Sequence, residues 1–127
     1  MSAREARAPL AAAGSLLISV AVLHAVVGAW FGRRLLQAML LDGIVNTVAS
    51  HPERGVVFWF LVMSPLLLML GQLCLFLAER GIAPPRWLGI EVLALTVCTA
   101  LLMPVSGFWL LIPPAVLLVR ASVARPE

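Results

Sequence analysis

Charge is scarce in this chain and lysine is missing altogether: nine Arg and six Asp or Glu carry all the formal charge among 127 residues. Charged side chains make up 12% of the sequence, whereas a soluble domain carries about 25%. That deficit excludes a water-covered surface of ordinary composition. Arg without Lys places every basic group as a guanidinium suited to phosphate headgroups, so the pI near 10.2 reads as a topology signal and not as nucleic-acid binding. No recognised catalytic, nucleotide or metal motif occurs, so no cofactor and no metal are expected, and an enzymatic role is left undecided. Cysteine is limited to Cys74 and Cys98, neither with a second Cys or a His at ligand spacing. Threaded through a membrane, their depths differ by roughly 10 Å, which excludes a disulfide needing Cα atoms within about 7 Å.

What is present is apolar. Hydrophobic residues form 62% of the chain and the mean hydropathy is +1.05. Residues 10–31 and 56–78 each exceed the roughly 20 residues that carry a helix across about 30 Å of hydrocarbon. Residues 87–103 reach the lower limit of about 17 and stop at Pro104. The run 108–119 is short and contains Pro113 and Pro114, so it reads as a kinked crossing extended through Ala121, with a re-entrant segment as the alternative.

These runs predict an all-α integral membrane bundle of four transmembrane helices in one domain, residues 1–127. The helices fall at about 8–31, 56–78, 87–103 and 107–121. Arg4 and Arg7 ahead of the first run, with small residues near Val27 and Ala29, resemble a signal peptide. The run outlasts an ordinary signal core, so a retained crossing is the expectation.

Arg7, Arg80, Arg86 and Arg120, with Arg4 and Arg125, fall on one side of such a bundle, and Arg33, Arg34 and Arg54 on the other. This bias predicts cytoplasmic termini. Trp30, Trp59, Trp87 and Trp109 each sit near a predicted boundary and read as interfacial anchors.

The long connection, residues 32–55, has Arg34, Ala38, Asp42, Asn46 and Ser50 at four-residue intervals, with Leu35, Leu36, Met39, Leu40, Ile44, Val45 and Val48 on the other side. That spacing predicts a separate interfacial amphipathic helix over about 33–50, weakened in its middle by Gly43.

Polar residues gather at two depths. His24, Asn46, His51, Glu53, Arg54, Ser106 and Trp109 converge on the outer side. His24, Gly28 and Gly32 share one stripe of the first helix, and Ala21, Ala25 and Ala29 form a small-residue row beside it. Glu53 and Arg54 diverge by about 100° on a helix, so Glu53 is expected to turn inward toward His24 and Asn46 while Arg54 reaches phosphates. At the inner depth, Gln72 and Glu91 either share a hydrogen bond between adjacent helices or Glu91 snorkels to Arg86 or Arg80. Ser64 and Pro65 are expected to kink the second helix.

Three phrases carry a resemblance: Leu-His-Ala-Val-Val-Gly around His24, His-Pro-Glu-Arg-Gly-Val-Val-Phe-Trp-Phe over 51–60, and Met-Pro-Val-Ser-Gly-Phe-Trp-Leu over 103–110. The chain resembles, over about 16–120, a bacterial family of small four-helix membrane proteins containing an uncharacterised domain. The resemblance carries no reaction. It implies a multi-pass location in the bacterial inner (cytoplasmic) membrane and an outer mouth built from His24, Asn46, Glu53, Arg54, Phe58, Trp59, Pro104, Ser106, Gly107 and Trp109.

The function expected is binding of a lipid, a small apolar ligand or a partner helix at that mouth. The partners expected are membrane lipids, an apolar ligand and a homo-oligomer, with no nucleic acid. A small membrane isomerase, similar to the emopamil-binding class and using His24 and Glu53 in proton transfer, is the alternative, and a transporter or channel subunit is a second.

Overall fold

The computed structural model describes residues 3–123, and every regular element among them is helical. Helix α1 spans Ala3–Leu41, α2 spans Pro52–Arg80 and α3 spans Arg86–Leu102. A 3-10 helix, Gly107–Leu111, then runs into α4, Ile112–Val123. Arg125 and the side chain of Arg4, both used in the Arg distribution above, lie outside the described residues.

Helix α1 has 39 residues, about 58 Å at 1.5 Å per residue. The separate amphipathic helix expected at 33–50 does not form: its first half is the end of α1, and residues 42–51 are a folded connection. The physical reason is where the backbone can stop. Gly32 is the single weak helix former between Phe31 and Arg33, too little to break a helix. Gly43, by contrast, adopts φ +94°, its N–H bonds the Leu40 carbonyl at 3.3 Å, and the Ile44 N–H bonds the Met39 carbonyl at 2.9 Å. That is a Schellman end, so Gly43 terminates the helix it was expected to weaken. Helix α2 stops identically: Gly81 at φ +67° sends its N–H to Ala78, and Ile82 bonds Leu77 at 2.9 Å.

Pro113 and Pro114 occupy the first turn of α4, directly after the 3-10 helix, a position in a helix where proline is tolerated. The α-helical part of this segment is 12 residues, about 18 Å, and the five 3-10 residues before it add about 10 Å.

The helices do not form a closed ring. Helix α1 packs against α2 on one side and α4 on the other, α3 packs on α4, and the backbones of α2 and α3 stay apart. The bond between Gln72 and Glu91, the alternative that required adjacent helices, is therefore not made, and both side chains are exposed. Glu91 makes no ion pair with Arg86 or Arg80 among the described residues. Arg80 instead lies over Phe76 at 4.6 Å. Cys74 is buried, Cys98 is exposed, and both are free thiols.

Close approach of α1 and α2 depends on glycine. A Cβ on Gly71 would lie 2.9 Å from the Gly14 carbonyl oxygen, and a Cβ on Gly32 would lie 2.6 Å from a Val57 methyl. Gly14 and Gly71 thus let two backbones touch, and the Gly28 and Gly32 stripe continues the seam. The alanine row does not follow it: Ala21 is buried, but Ala29 faces outward. Gly89 serves α3 in the same way, since its Cβ would sit 2.8 Å from the Val119 nitrogen in α4.

The core occupies one end of the molecule. Leu10, Ala13, Leu17 and Ala21 of α1, Leu67, Cys74 and Ala78 of α2, and Leu118 and Ala121 of α4 form one buried cluster. Toward the other end α2 and the 3-10 helix diverge, and the space between them is unfilled.

Candidate functional site

That unfilled space is a cleft of about 750 Å³, within the usual range for small-molecule sites. Helix α1 supplies Val20, Leu23, His24 and Val27 at spacings that place them on one face. Helix α2 supplies Val56, Trp59, Phe60, Met63 and Leu67 from the facing side. Met103, Ser106, Phe108 and Leu111 close the third wall. Nearly all of this lining is hydrocarbon.

His24 is held by two contacts. Its Nε2 lies 2.9 Å from the Phe60 carbonyl oxygen, and its ring stacks on the Phe60 ring with centroids 3.8 Å apart and planes within 13°. A carbonyl only accepts, so Nε2 carries the hydrogen and donates. Pro65, farther along α2, has no N–H and so leaves the carbonyl four residues back, at Leu61, without its helical donor. His24 bonds the carbonyl next to that one. Ser64 lies between, its buried hydroxyl without a partner among the described residues.

Ser106 supports the third wall. Its hydroxyl donates to the Met103 carbonyl and accepts from the Phe108 N–H at 3.4 Å, so both roles are spent on shaping the turn that starts the 3-10 helix. Trp109 donates its indole N–H to the Pro104 carbonyl at 2.9 Å and braces that turn from outside the cleft. Phe58 also stays outside, edge-on to Trp59 at 5.3 Å.

Two expectations reverse. Glu53 faces solvent, and Arg54 is the buried member of the pair, 7% exposed. Arg54 donates to the Thr47 carbonyl at 3.0 Å and to Asp42 Oδ2 at 2.7 Å, pinning the connection 42–51 back onto the first turn of α2. Asn46 is exposed in that connection, at φ +58°. Phe60, which receives His24, is seven residues and about 10 Å along α2 from Glu53, so His24, Asn46 and Glu53 do not assemble. Beside Asn46, Ile44 holds φ +68°, a conformation costly for a β-branched residue, and the Thr47 hydroxyl clasps its carbonyl at 2.9 Å.

Of the residues expected at the mouth, His24, Trp59, Ser106 and Gly107 line the cleft; Phe60, Met63, Leu67 and Phe108 beside them, and the Asp42 and Thr47 partners of Arg54, are not among those expected. The spacing of Val20, His24 and Val27, and of Val56, Phe60, Met63 and Leu67, was visible. In an apolar helix, however, a row facing a cleft and a row facing outward have the same composition.

The fold defines a four-helix protein with a lateral apolar cleft, two of whose helices are long and apolar enough to cross a membrane. The model of a family of unknown function, DUF6463, matches residues 8–125, so the chain belongs to that family. No curated protein and no solved structure matches it.

Proposed function

We propose that this is an integral membrane protein that takes a lipid or another small apolar molecule into the cleft beside His24. One observation carries the reading: the helices are apolar on the faces that nothing covers. In the most apolar stretches of α1 and α2 only 28% and 17% of residues are buried, whereas the apolar helices of a soluble core are mostly enclosed. Leu95, Leu101 and Leu102 of α3 are likewise exposed.

The spacing of polar and aromatic residues supports the same frame. Twenty-one positions separate Trp59 from Arg80 on α2, about 32 Å, and twenty-three separate Arg7 from Trp30 on α1, about 34 Å. Both match the hydrocarbon thickness of about 30 Å, and all four Trp are exposed, as anchors at its two surfaces would be. In this frame the cleft lies in the half of the bilayer nearer Trp30 and Trp59, the outer half by the Arg bias, and an apolar molecule enters it sideways. The isomerase reading loses its second proton-transfer group with Glu53 outside the cleft.

The orientation is tested with both native cysteines replaced and a single cysteine placed at Asn46 or Ala83. A membrane-impermeant maleimide on intact cells should label position 46 and spare 83; the opposite pattern reverses the topology. The cleft is tested by native mass spectrometry of protein released from detergent. One apolar molecule should stay with the chain, and Met63→Trp, which fills the space, should expel it while leaving the melting temperature within a few degrees. Equal retention by the filled variant would place the molecule elsewhere and overturn the reading.

A further inference from the structure

We infer that the occupant of the cleft is an amphiphilic alcohol: an apolar body with a hydroxyl that donates a hydrogen bond to Nδ1 of His24. This rests on the cleft reading above and adds the chemical class of the ligand. Among the described residues three lining side chains carry N–H or O–H groups: His24, Ser106 and Trp59. Ser106 is consumed by Met103 and Phe108. Trp59 is 68% exposed and stands at the rim. His24 is what the cleft itself presents.

Its ring cannot turn freely, because turning would break the bond to the Phe60 carbonyl and the stack on the Phe60 ring together. With Nε2 committed as a donor, the neutral imidazole has one polar atom left, the Nδ1 lone pair, which only accepts. No protein donor reaches it among the described residues. An acceptor in apolar surroundings selects a donor, since an unmatched polar atom there is costly. The donor must also be neutral. Among the described residues no Asp or Glu lines the cleft, so an ammonium would be buried without a counter-charge, and a carboxylate or phosphodiester would set its lone pairs against that of Nδ1. A hydroxyl meets both conditions, and the surrounding Val, Leu, Met and Phe side chains take the apolar body.

The test offers the purified, delipidated protein an equimolar mixture of 1-hexadecanol, hexadecyl methyl ether and a phosphatidylcholine, with the occupancy of each read by native mass spectrometry. The ether keeps the chain and the oxygen but cannot donate. Hexadecanol should exceed the ether by roughly 3- to 10-fold, the worth of one hydrogen bond, and phosphatidylcholine should be least retained. His24→Phe keeps the ring and its stack but removes both nitrogens, and it should level the alcohol and ether while still binding them. The preference in the unaltered protein decides the matter even if that variant does not fold. Equal occupancy by alcohol and ether, or dominance of phosphatidylcholine, overturns the hydroxyl inference and leaves the cleft reading standing. Folded protein that retains none of the three overturns the cleft reading itself.

Discussion

Replacing Gly71 with Val should separate α1 from α2 and destabilise the protein by about 3 kcal/mol or more, at the upper end of what overpacking costs. The Cβ alone would sit 2.7 Å from Ile18 Cγ1, 2.9 Å from the Gly14 carbonyl oxygen and 3.0 Å from the Ile18 nitrogen. Two of those three atoms are backbone and have no rotamer to escape into. Relief requires the helices to move apart, and that seam also sets the His24 contact with Phe60 farther along. Gly71→Val should therefore lower the unfolding midpoint in detergent and weaken ligand retention together. Gly55→Ala is the opposite case on the same helix: its Cβ would meet only a Val48 methyl, at 3.9 Å. There the gain in helix propensity should raise stability by up to about 1 kcal/mol. Equal effects from the two substitutions would show that the glycines are not separated by close approach.

Arg54→Met should cost about 2 to 3 kcal/mol and free the connection 42–51. Bonds to a charged group contribute about 1.5 to 3 kcal/mol each, and Arg54 makes two. The sum is discounted because the Asp42 side chain is 52% exposed and can be rehydrated, while the Thr47 carbonyl is left without its donor. Arg54→Lys should recover part of the loss, because one ammonium cannot reproduce the fork that spans a carbonyl and a carboxylate. Hydrogen exchange and limited proteolysis across 42–51 give the readout. Unchanged protection in Arg54→Met would mean that the Schellman end at Gly43 and the Thr47 clasp hold the connection unaided.

The two reversals share a cause. Helix periodicity around Pro52 says that Glu53 and Arg54 diverge, but it does not say what lies on either side. Arg54 is buried by residues 42–51 folding back over it, a long-range event with no trace in the pattern of α2. The interfacial helix failed differently. Its amphipathic spacing is present in the sequence, but Gly43 in the left-handed region outweighs propensity, and nothing before it interrupts α1. The third and fourth runs were legible because Pro104 and the pair Pro113 and Pro114 punctuate them, the pair standing in the first turn of α4.

By itself the sequence determined the helical class, the number of long helices and the near absence of polar chemistry, since run length, Gly and Pro act locally through backbone geometry and hydrogen bonding. It also singled out His24, because an imidazole in an apolar run must find a partner wherever it lies. Which partner was a tertiary matter. The order of packing, with α1 between α2 and α4 and α3 on the far side, leaves α2 and the 3-10 helix apart and so opens the cleft. It also separates Gln72 from Glu91 and Cys74 from Cys98. Helices this uniformly apolar carry little information about which faces meet. Contact is decided by where glycine lets backbones touch, at Gly14 with Gly71 and at Gly89 with Val119, and the unfilled space is what those contacts leave over.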